Sequence, residues 1–135
     1  MPLRWIVVGV LVLFASGTPA VSTAEAVYPR VTVEQAREVI QQKSGRPDFV
    51  ILDVRTPEEF RQGHVAGAVN VNLMAPDFEA RLGAFPRDKT YLVYCRTGNR
   101  STTAVQIMER LKFRSVLHMF EGIVGWEQKG FPLIP

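Results

Sequence analysis

The feature that most constrains the fold is a short apolar run that leads through a polar loop into an amphipathic segment. Residues 91–94 read Tyr-Leu-Val-Tyr, and residues 95–101 read Cys-Arg-Thr-Gly-Asn-Arg-Ser. The apolar run is typical of a strand that is buried on both faces of a parallel sheet. Beyond the loop, apolar residues recur at the spacing of one helix face, at Ala104, Ile107, Met108 and Leu111. The pattern predicts a strand, a tight loop and a helix that begins at Ser101.

This arrangement places Cys95, the only cysteine of the chain, between the end of a strand and the start of a helix. Unpaired N–H groups and the helix dipole stabilise negative charge at such a position. Arg96 and Arg100 add two cations, and surroundings of this kind lower the pKa of a thiol from about 8.5 to about 3.5–7.5. A lone cysteine is otherwise most simply a small buried hydrophobe. The two arginines and Gly98 favour a nucleophile instead.

A second apolar run, residues 49–52, predicts another buried strand, which ends at Asp53-Val54-Arg55. Thr56-Pro57-Glu58-Glu59 then has the cap, the first-turn proline and the glutamate of a helix start. Helix capping accounts for the two adjacent carboxylates without acid–base chemistry. Thr32-Val33-Glu34-Gln35 has the same capping spacing. Strands that alternate with helices in this way predict an α/β fold in which helices cover both faces of a parallel sheet.

Three segments together resemble the rhodanese family of sulfurtransferases. The loop of residues 95–101 is similar to the active-site loop of that family. Residues 52–60 and 63–70 are similar to its first signature, and residues 120–126 and 130–132 to its closing signature. The resemblance implies an open five-stranded parallel sheet in the order 3-2-4-5-1, with the active loop after the fourth strand. That location agrees with the rule that parallel sheets bind ligands beyond the carboxyl ends of their strands. One position departs from the family pattern. The family usually has two adjacent glycines where this chain has Glu121-Gly122.

The resemblance implies sulfurtransferase chemistry centred on Cys95. The thiolate would take the outer sulfur of thiosulfate or of a persulfide donor, and a cyanide or thiol acceptor would then remove it from a Cys95 persulfide. The substrate-binding residues implied by the family loop are Arg96, Thr97, Gly98, Asn99, Arg100 and Ser101. Their backbone N–H groups would hold the persulfide, and Arg96 and Arg100 would bind the sulfonate oxygens of the donor. Neither step needs a metal, a redox cofactor or an acid–base histidine, so no cofactor is expected.

Three residues outside the loop are expected to support it. Asp53 and Arg55 belong to the first signature, and we expect Arg55 to form an ion pair with Asp53 or another neighbour. Glu121 belongs to the closing signature. Its carboxylate would lie near the thiol, pair with a loop arginine or point to solvent, and the sequence leaves these alternatives open.

The two histidines of the chain are not expected to take part in catalysis. His64 comes directly after Gly63, which is placed to end a helix, and a histidine there more often makes a structural hydrogen bond. His118 lies in the apolar run of residues 116–119, which predicts the last strand. No pair of histidines or carboxylates in the sequence has the spacing of a metal site, and one cysteine cannot build a zinc site.

Two other functions fit parts of the same pattern. Cysteine-dependent phosphatases also use a cysteine loop that ends in arginine, but they need one residue more than the four that separate Cys95 from Arg100. The shorter loop leaves room for a sulfur atom rather than for a tetrahedral oxyanion. A domain of this fold could instead carry sulfur between partner proteins with little turnover on thiosulfate, or serve as an interaction module. The sequence leaves that alternative and the oligomeric state open.

The start of the chain predicts export. Arg4, the apolar stretch of residues 5–15 and the small residues of Ala24-Glu25-Ala26 are typical of a signal peptide over residues 1–26. The stretch is shorter than the roughly 20 residues that span a bilayer, so we expect no stable membrane insertion after cleavage. The mature domain, residues 27–135, would then be periplasmic. The net charge of +3 is scattered along the chain, which suits small anions and excludes a dense nucleic-acid surface.

Overall fold

The computed structural model describes Gly17 and residues 28–135. Apart from Gly17, the predicted signal peptide of residues 1–26 lies outside the described residues, so it stays a prediction. In the part of the chain that the structure describes, no helix combines the length and the apolar composition that crossing a bilayer requires.

The centre of the fold is a parallel sheet of five strands within residues 28–135. The strands are β1 (Arg30–Val31), β2 (Phe49–Asp53), β3 (Val69–Asn70), β4 (Thr90–Tyr94) and β5 (Ser115–Met119). Their order across the sheet is β1-β5-β4-β2-β3, and every pairing is parallel. Read from the other edge, this is the predicted order 3-2-4-5-1. The prediction of the sheet is therefore confirmed.

Helices cover both faces of the sheet, as the alternation of strands and helices predicted. They are α1 (Val33–Lys43), α2 (Pro57–Gln62), α3 (Phe78–Gly83), α4 (Asn99–Arg110) and α5 (Gly122–Gln128). Side chains of α3 and α4 share one apolar cluster with Tyr91 and Val93, and side chains of α1 and α5 share another with Leu92 and Tyr94. Alternate residues of β4 thus enter opposite cores, each fully buried. Complete burial of such a side chain stabilises the fold by about 1.5–3 kcal/mol.

Both predicted capping boxes form. The Thr32 and Thr56 hydroxyls each accept from the backbone N–H three residues on, and the side chains of Gln35 and Glu59 accept from the cap N–H in return. These contacts satisfy donors that a helix start otherwise leaves unpaired. The second box matters for the site, because it begins α2 directly beyond the carboxyl end of β2.

Two helices differ from the sequence prediction. Helix α4 begins at Asn99 rather than at Ser101, because Gly98 adopts a left-handed conformation, with φ of 100°. The chain therefore turns into the helix at once, and the Gly98 carbonyl accepts from the Thr102 N–H at 3.0 Å. Helix α5 was not predicted at all. It contains two glycines in seven residues, and glycine is a poor helix former. Packing against the cysteine loop and α1 therefore stabilises this helix.

Candidate active site

Cys95 is the first residue beyond the carboxyl end of β4, the central strand. The neighbouring strands place Asp53 opposite Tyr94 and His118 opposite Val93. Because the strands are parallel, the segment beyond β2 and the last residues of β5 meet the cysteine loop at one edge of the sheet. Polar residues that are far apart in the chain are thereby brought to the same end of the sheet as Cys95.

The Cys95 thiol is buried, with 1% of the residue exposed. Its Sγ accepts from the Gly98 N–H at 3.1 Å and lies 3.3 Å from the Ser101 Oγ. Gly98 can turn its N–H toward the sulfur because of its left-handed backbone. A Cβ on residue 98 would also lie 2.3 Å from the Phe120 carbonyl oxygen. The loop therefore closes around the sulfur only with glycine at this position.

Helix α5 holds the loop from the other side. The N–H groups of Ile123 and Val124 donate to the carbonyls of Cys95 and Arg96 at 2.9 and 3.1 Å. These donors belong to the first turn of α5, where N–H groups have no partner within the helix. The approach requires Gly122, whose φ is 66° and whose Cβ would lie 2.2 Å from the Arg96 oxygen.

Glu121 occupies none of the positions that the sequence left open. Its Oε1 accepts from the Val33 N–H at 2.9 Å, so its carboxylate caps the start of α1. Neither contact with the thiol nor pairing with a loop arginine is observed, and the carboxylate is not simply solvated. The backbone of Glu121 is right-handed, with φ of −73°. Only Gly122 makes the close approach, which explains why the preceding position accepts a side chain.

Arg100 is paired with Glu59. Its Nη1 and Nη2 donate to the two carboxylate oxygens at 2.7 and 2.9 Å, and both side chains are about a quarter exposed. The hydrogen bond from Arg100 is the largest cause that lowers the pKa of Glu59, from 4.5 to about 2. Glu59 was predicted to act only as a helix cap, and this second role was missed. The expected contact of Arg100 with the sulfonate competes with this pair.

Arg55 forms the ion pair with Asp53 that the sequence predicted. Its Nη2 lies 2.7 Å from Asp53 Oδ2, its Nε donates to the same carboxylate, and Nη2 also donates to the Gly63 carbonyl at 2.7 Å. Asp53 is fully buried and Arg55 is 5% exposed. A buried charge that loses its partner is strongly destabilising. The pair is thus a structural support for the chain segment beside the loop.

Arg96 is the one loop residue that lines a polar cleft of about 380 Å³ in the described part of the chain. Arg96, Thr97 and Asn99 are exposed, whereas Gly98 and Ser101 are buried. Within residues 28–135, no hydrogen bond or ion pair engages the side chain of Arg96. The cleft is lined by Arg55, Glu59, Gln62, Gly63, Arg96, Ile123, Val124 and Glu127. An anion in the cleft could therefore bind Arg96 directly, whereas binding to Arg100 would require displacement of the Glu59 carboxylate.

The two histidines differ in their surroundings. His64 Nδ1 contacts the Phe60 carbonyl at 2.8 Å and the ring stacks on Phe60, so the predicted structural role is confirmed. His118 was assigned no role, yet its Nε2 lies 2.6 Å from the Ser101 Oγ, one contact away from the thiol. The sequence signal that was missed is the position of His118 near the end of β5. It is two residues from Val116, and side chains two residues apart in a strand lie on the same face of the sheet. Among the described residues, no group of three His, Cys, Asp or Glu is placed to hold a metal ion.

Known proteins resemble this chain in sequence and in fold. The sequence matches the rhodanese-like domain family over residues 35–129. It is 29% identical over 94 residues to a sulfurtransferase of Allochromatium vinosum, which covers 70% of this chain and 86% of that protein. It is 36% identical over 91 residues to the chloroplastic thiosulfate sulfurtransferase 16 of Arabidopsis thaliana, which covers 60% of this chain and 76% of that one. The crystal structure of a rhodanese-related protein from Thermoplasma volcanium superposes with a TM-score of 0.67 at 29% identity, covering 79% of this chain and 98% of that one.

Glu59→Gln tests the ion pair with Arg100. The folded-state pKa of Glu59, about 2, lies below its ordinary 4.5, so the pair's stabilisation is present above the ordinary pKa and is lost as the pH falls toward 2. After allowance for partial exposure, we expect the variant to lose about 1–2 kcal/mol of unfolding free energy near neutral pH. Urea unfolding at several pH values measures the difference, which should shrink steadily in acid. Glu79→Gln, in an exposed pair with Arg110, is the control with little effect at any pH, and a loss in Glu59→Gln that does not change with pH would contradict the assignment.

Glu121→Ala tests the new role of Glu121. Removal of the carboxylate leaves the Val33 N–H at the start of α1 without its side-chain acceptor, and loss of a cap costs about 1 kcal/mol of unfolding free energy. The dependence of the Cys95 alkylation rate on pH should remain that of the wild type. Chemical unfolding and iodoacetamide kinetics measure the two effects. An unchanged stability together with a displaced rate profile would place the carboxylate at the thiol after all.

Proposed function

Because the chain belongs to the rhodanese family, we propose that it transfers sulfane sulfur from thiosulfate or a persulfide donor to a thiophilic acceptor through a Cys95 persulfide. Relatives named sulfurtransferase support sulfurtransferase activity in general. The observation that carries the finer proposal is the buried Cys95 Sγ, which accepts from the Gly98 N–H at the end of the central strand.

Sulfur transfer needs two displacements at sulfur. In the first, an electron pair of the Cys95 thiolate attacks the outer sulfur of thiosulfate, the sulfur–sulfur bond of the donor breaks, and its electron pair leaves with sulfite. In the second, cyanide or a thiolate attacks the outer sulfur of the persulfide, and the Cys95 thiolate is the leaving group. The products are thiocyanate or a new persulfide. Covalent catalysis of this kind predicts ping-pong kinetics.

The loop supplies what these steps require. Sγ carries negative charge before the first displacement and again after the second, when it is the leaving group, and the Gly98 N–H donates to it in a water-poor setting. Once the thiol has ionised, the thiolate attacks the donor without a general base. The chemistry therefore relies on fixed backbone donors and a rigid loop, both of which the contacts with α5 provide.

The charges around the cleft support Arg96 as the residue that binds the donor. Arg55 and Arg100 are each neutralised by a carboxylate, Asp53 and Glu59 respectively, whereas Arg96 stands exposed at the cleft. The sulfonate oxygens of thiosulfate would pair with the Arg96 guanidinium in the cleft. The outer sulfur of the donor would then point toward the cysteine loop. The pairing of Arg100 with Glu59, together with the short loop, counts against the phosphatase alternative.

Cys95→Ser tests the persulfide. The serine hydroxyl is far harder to ionise than the thiol, and the chain has no second cysteine, so we expect remaining thiosulfate–cyanide activity below about 1% of wild type. Mass spectrometry after thiosulfate treatment should show one added sulfur on the wild-type protein and none on the variant, with similar thermal unfolding of both. Activity that survives the substitution would refute the proposal. Persulfide formation without steady-state turnover would instead support the sulfur-carrier alternative.

Arg96→Ala and Arg55→Ala separate binding from structural support. Removal of Arg96 takes away a charge that holds the donor equally in the ground and transition states, so we expect KM for thiosulfate to rise about tenfold with little change in kcat. Removal of Arg55 leaves Asp53 buried and unpaired, and we expect a loss of about 3–5 kcal/mol of unfolding free energy. Steady-state kinetics and urea unfolding distinguish the two. The reverse pattern would make Arg55 the donor-binding residue.

A further inference from the structure

A chain of two hydrogen-bond contacts connects the Cys95 thiol to a buried histidine. The Ser101 Oγ lies 3.3 Å from Cys95 Sγ and 2.6 Å from His118 Nε2. All three residues are buried, with exposed fractions of 1%, 0% and 5% for Cys95, Ser101 and His118. Sulfur transfer as described above uses neither the serine hydroxyl nor the imidazole, so this chain of contacts has no assigned role.

The fold explains why these three side chains meet. Strand β5 pairs with β4 so that His118 lies beside Val93, two residues before the cysteine. Side chains alternate along a strand, and Val116, two residues before His118, packs in the apolar cluster that α4 also enters. His118 therefore points to the α4 face of the sheet, and Ser101 is in the first turn of that helix.

The proton count restricts how the contacts work. Ser101 Oγ carries one proton and has a third neighbour, the Gly98 carbonyl at 3.1 Å, which can only accept. A Cys95 thiolate can also only accept. When the thiolate accepts the serine proton, the 2.6 Å contact with His118 can be a hydrogen bond only if Nε2 carries a proton and donates to Oγ. With a neutral thiol, the S–H can donate to Oγ while the serine proton turns to the Gly98 carbonyl or to Nε2.

His118 can supply this proton as a neutral ring. Burial, and to a lesser extent the charge of Arg30, lowers the pKa of His118 from 6.5 to about 4. At neutral pH the imidazole therefore carries one N–H and no charge. The thiol proton leaves to solvent when the thiolate forms, because a ring with so low a pKa does not retain it. The role of the histidine is to orient a donor.

Among residues 28–135, none of the charged groups near the thiol and the imidazole forms a hydrogen bond with the Ser101 hydroxyl or the His118 ring. Arg55 pairs with Asp53 beyond β2, Arg100 pairs with Glu59 of α2, and Glu121 caps α1. Arg96 is exposed at the cleft, and the Arg30 guanidinium of β1 lies over the Phe120 ring. Substitutions at His118 and Ser101 leave all of these charges in place.

We propose that His118 is a positioning residue that donates its Nε2–H to Ser101, so that the serine hydroxyl in turn donates to the Cys95 thiolate and stabilises it. The inference rests on the proposed function only in taking Cys95 as the nucleophile. Its consequence is that the reactivity of the thiol depends on a residue that never touches the sulfur.

The first test is the pH dependence of Cys95 alkylation by iodoacetamide. His118→Leu removes the donor while filling the space, and it should raise the midpoint of the rate–pH profile by about 0.5–1 pH unit, which slows alkylation below the midpoint by about three- to tenfold. His118→Gln keeps an N–H near the position of Nε2 and should restore part of the rate. His64→Asn, which changes the histidine bonded to the Phe60 carbonyl, is the control with a wild-type profile. Identical profiles for wild type and a folded His118→Leu would overturn the proposal.

A double-mutant cycle separates this role from a general effect of packing. Ser101→Ala breaks the chain of contacts, so it should displace the profile in the same direction, and the addition of His118→Leu should then displace it no further. If the two displacements add in full, His118 does not act through Ser101 and the proposal is wrong. Circular dichroism and thermal unfolding establish that each variant is folded.

A measurement on the wild-type protein does not depend on how the variants fold. The chain has two histidines, so nitrogen NMR of labelled imidazoles resolves His118 from His64. Above the midpoint of the alkylation profile we expect His118 as the neutral ring with its proton on Nε2. A proton on Nδ1 alone, or a charged ring, would overturn the proposal. Neither NMR nor alkylation uses a sulfur donor, so failure here leaves persulfide formation on Cys95 standing, and failure of persulfide formation leaves this result standing.

Discussion

The site depends on the attachment of the cysteine loop to the first turn of α5. Two N–H groups of the helix bind the carbonyls of Cys95 and Arg96, and the contact satisfies unpaired groups on both sides at once. It brings backbone so close to backbone that Gly98 and Gly122 have no room for a Cβ. The loop is therefore rigid before any donor arrives, and the Gly98 N–H is already directed at the sulfur.

Rigidity of this kind suits the proposed reaction, in which Sγ carries negative charge before it attacks the donor and again when the transferred sulfur leaves. A fixed N–H donor stabilises that charge without reorganising during the reaction. The cations nearest the loop are balanced in pairs, Arg55 with Asp53 and Arg100 with Glu59. Arg96 alone of the loop arginines stands exposed at the cleft. Backbone and serine groups thus contact the sulfur, and under the proposed function the exposed Arg96 binds the donor, so the two tasks fall to different groups.

Much of the fold was predictable because the signals that specify it are local. Two capping boxes place the starts of α1 and α2 within a few residues of their strands, and buried apolar runs mark β2 and β4. The resemblance to the rhodanese family supplied the order of the strands. Helix α5 was missed because its glycines argue against a helix, and its stability comes from contacts with the loop and with α1 rather than from its own sequence.

Residues close together in the chain were enough to predict most of the elements, the place of Cys95 at a strand end and the Asp53–Arg55 pair. The tertiary structure alone, in contrast, shows which groups Glu121, Arg100 and His118 contact. Glu121 binds a residue 88 positions away, Arg100 one 41 away, and His118 one 17 away. Helix and strand periodicity predict which face a residue occupies, but not which side chain on another element lies opposite. Those contacts are set by how parallel strands and their helices pack at one edge of the sheet.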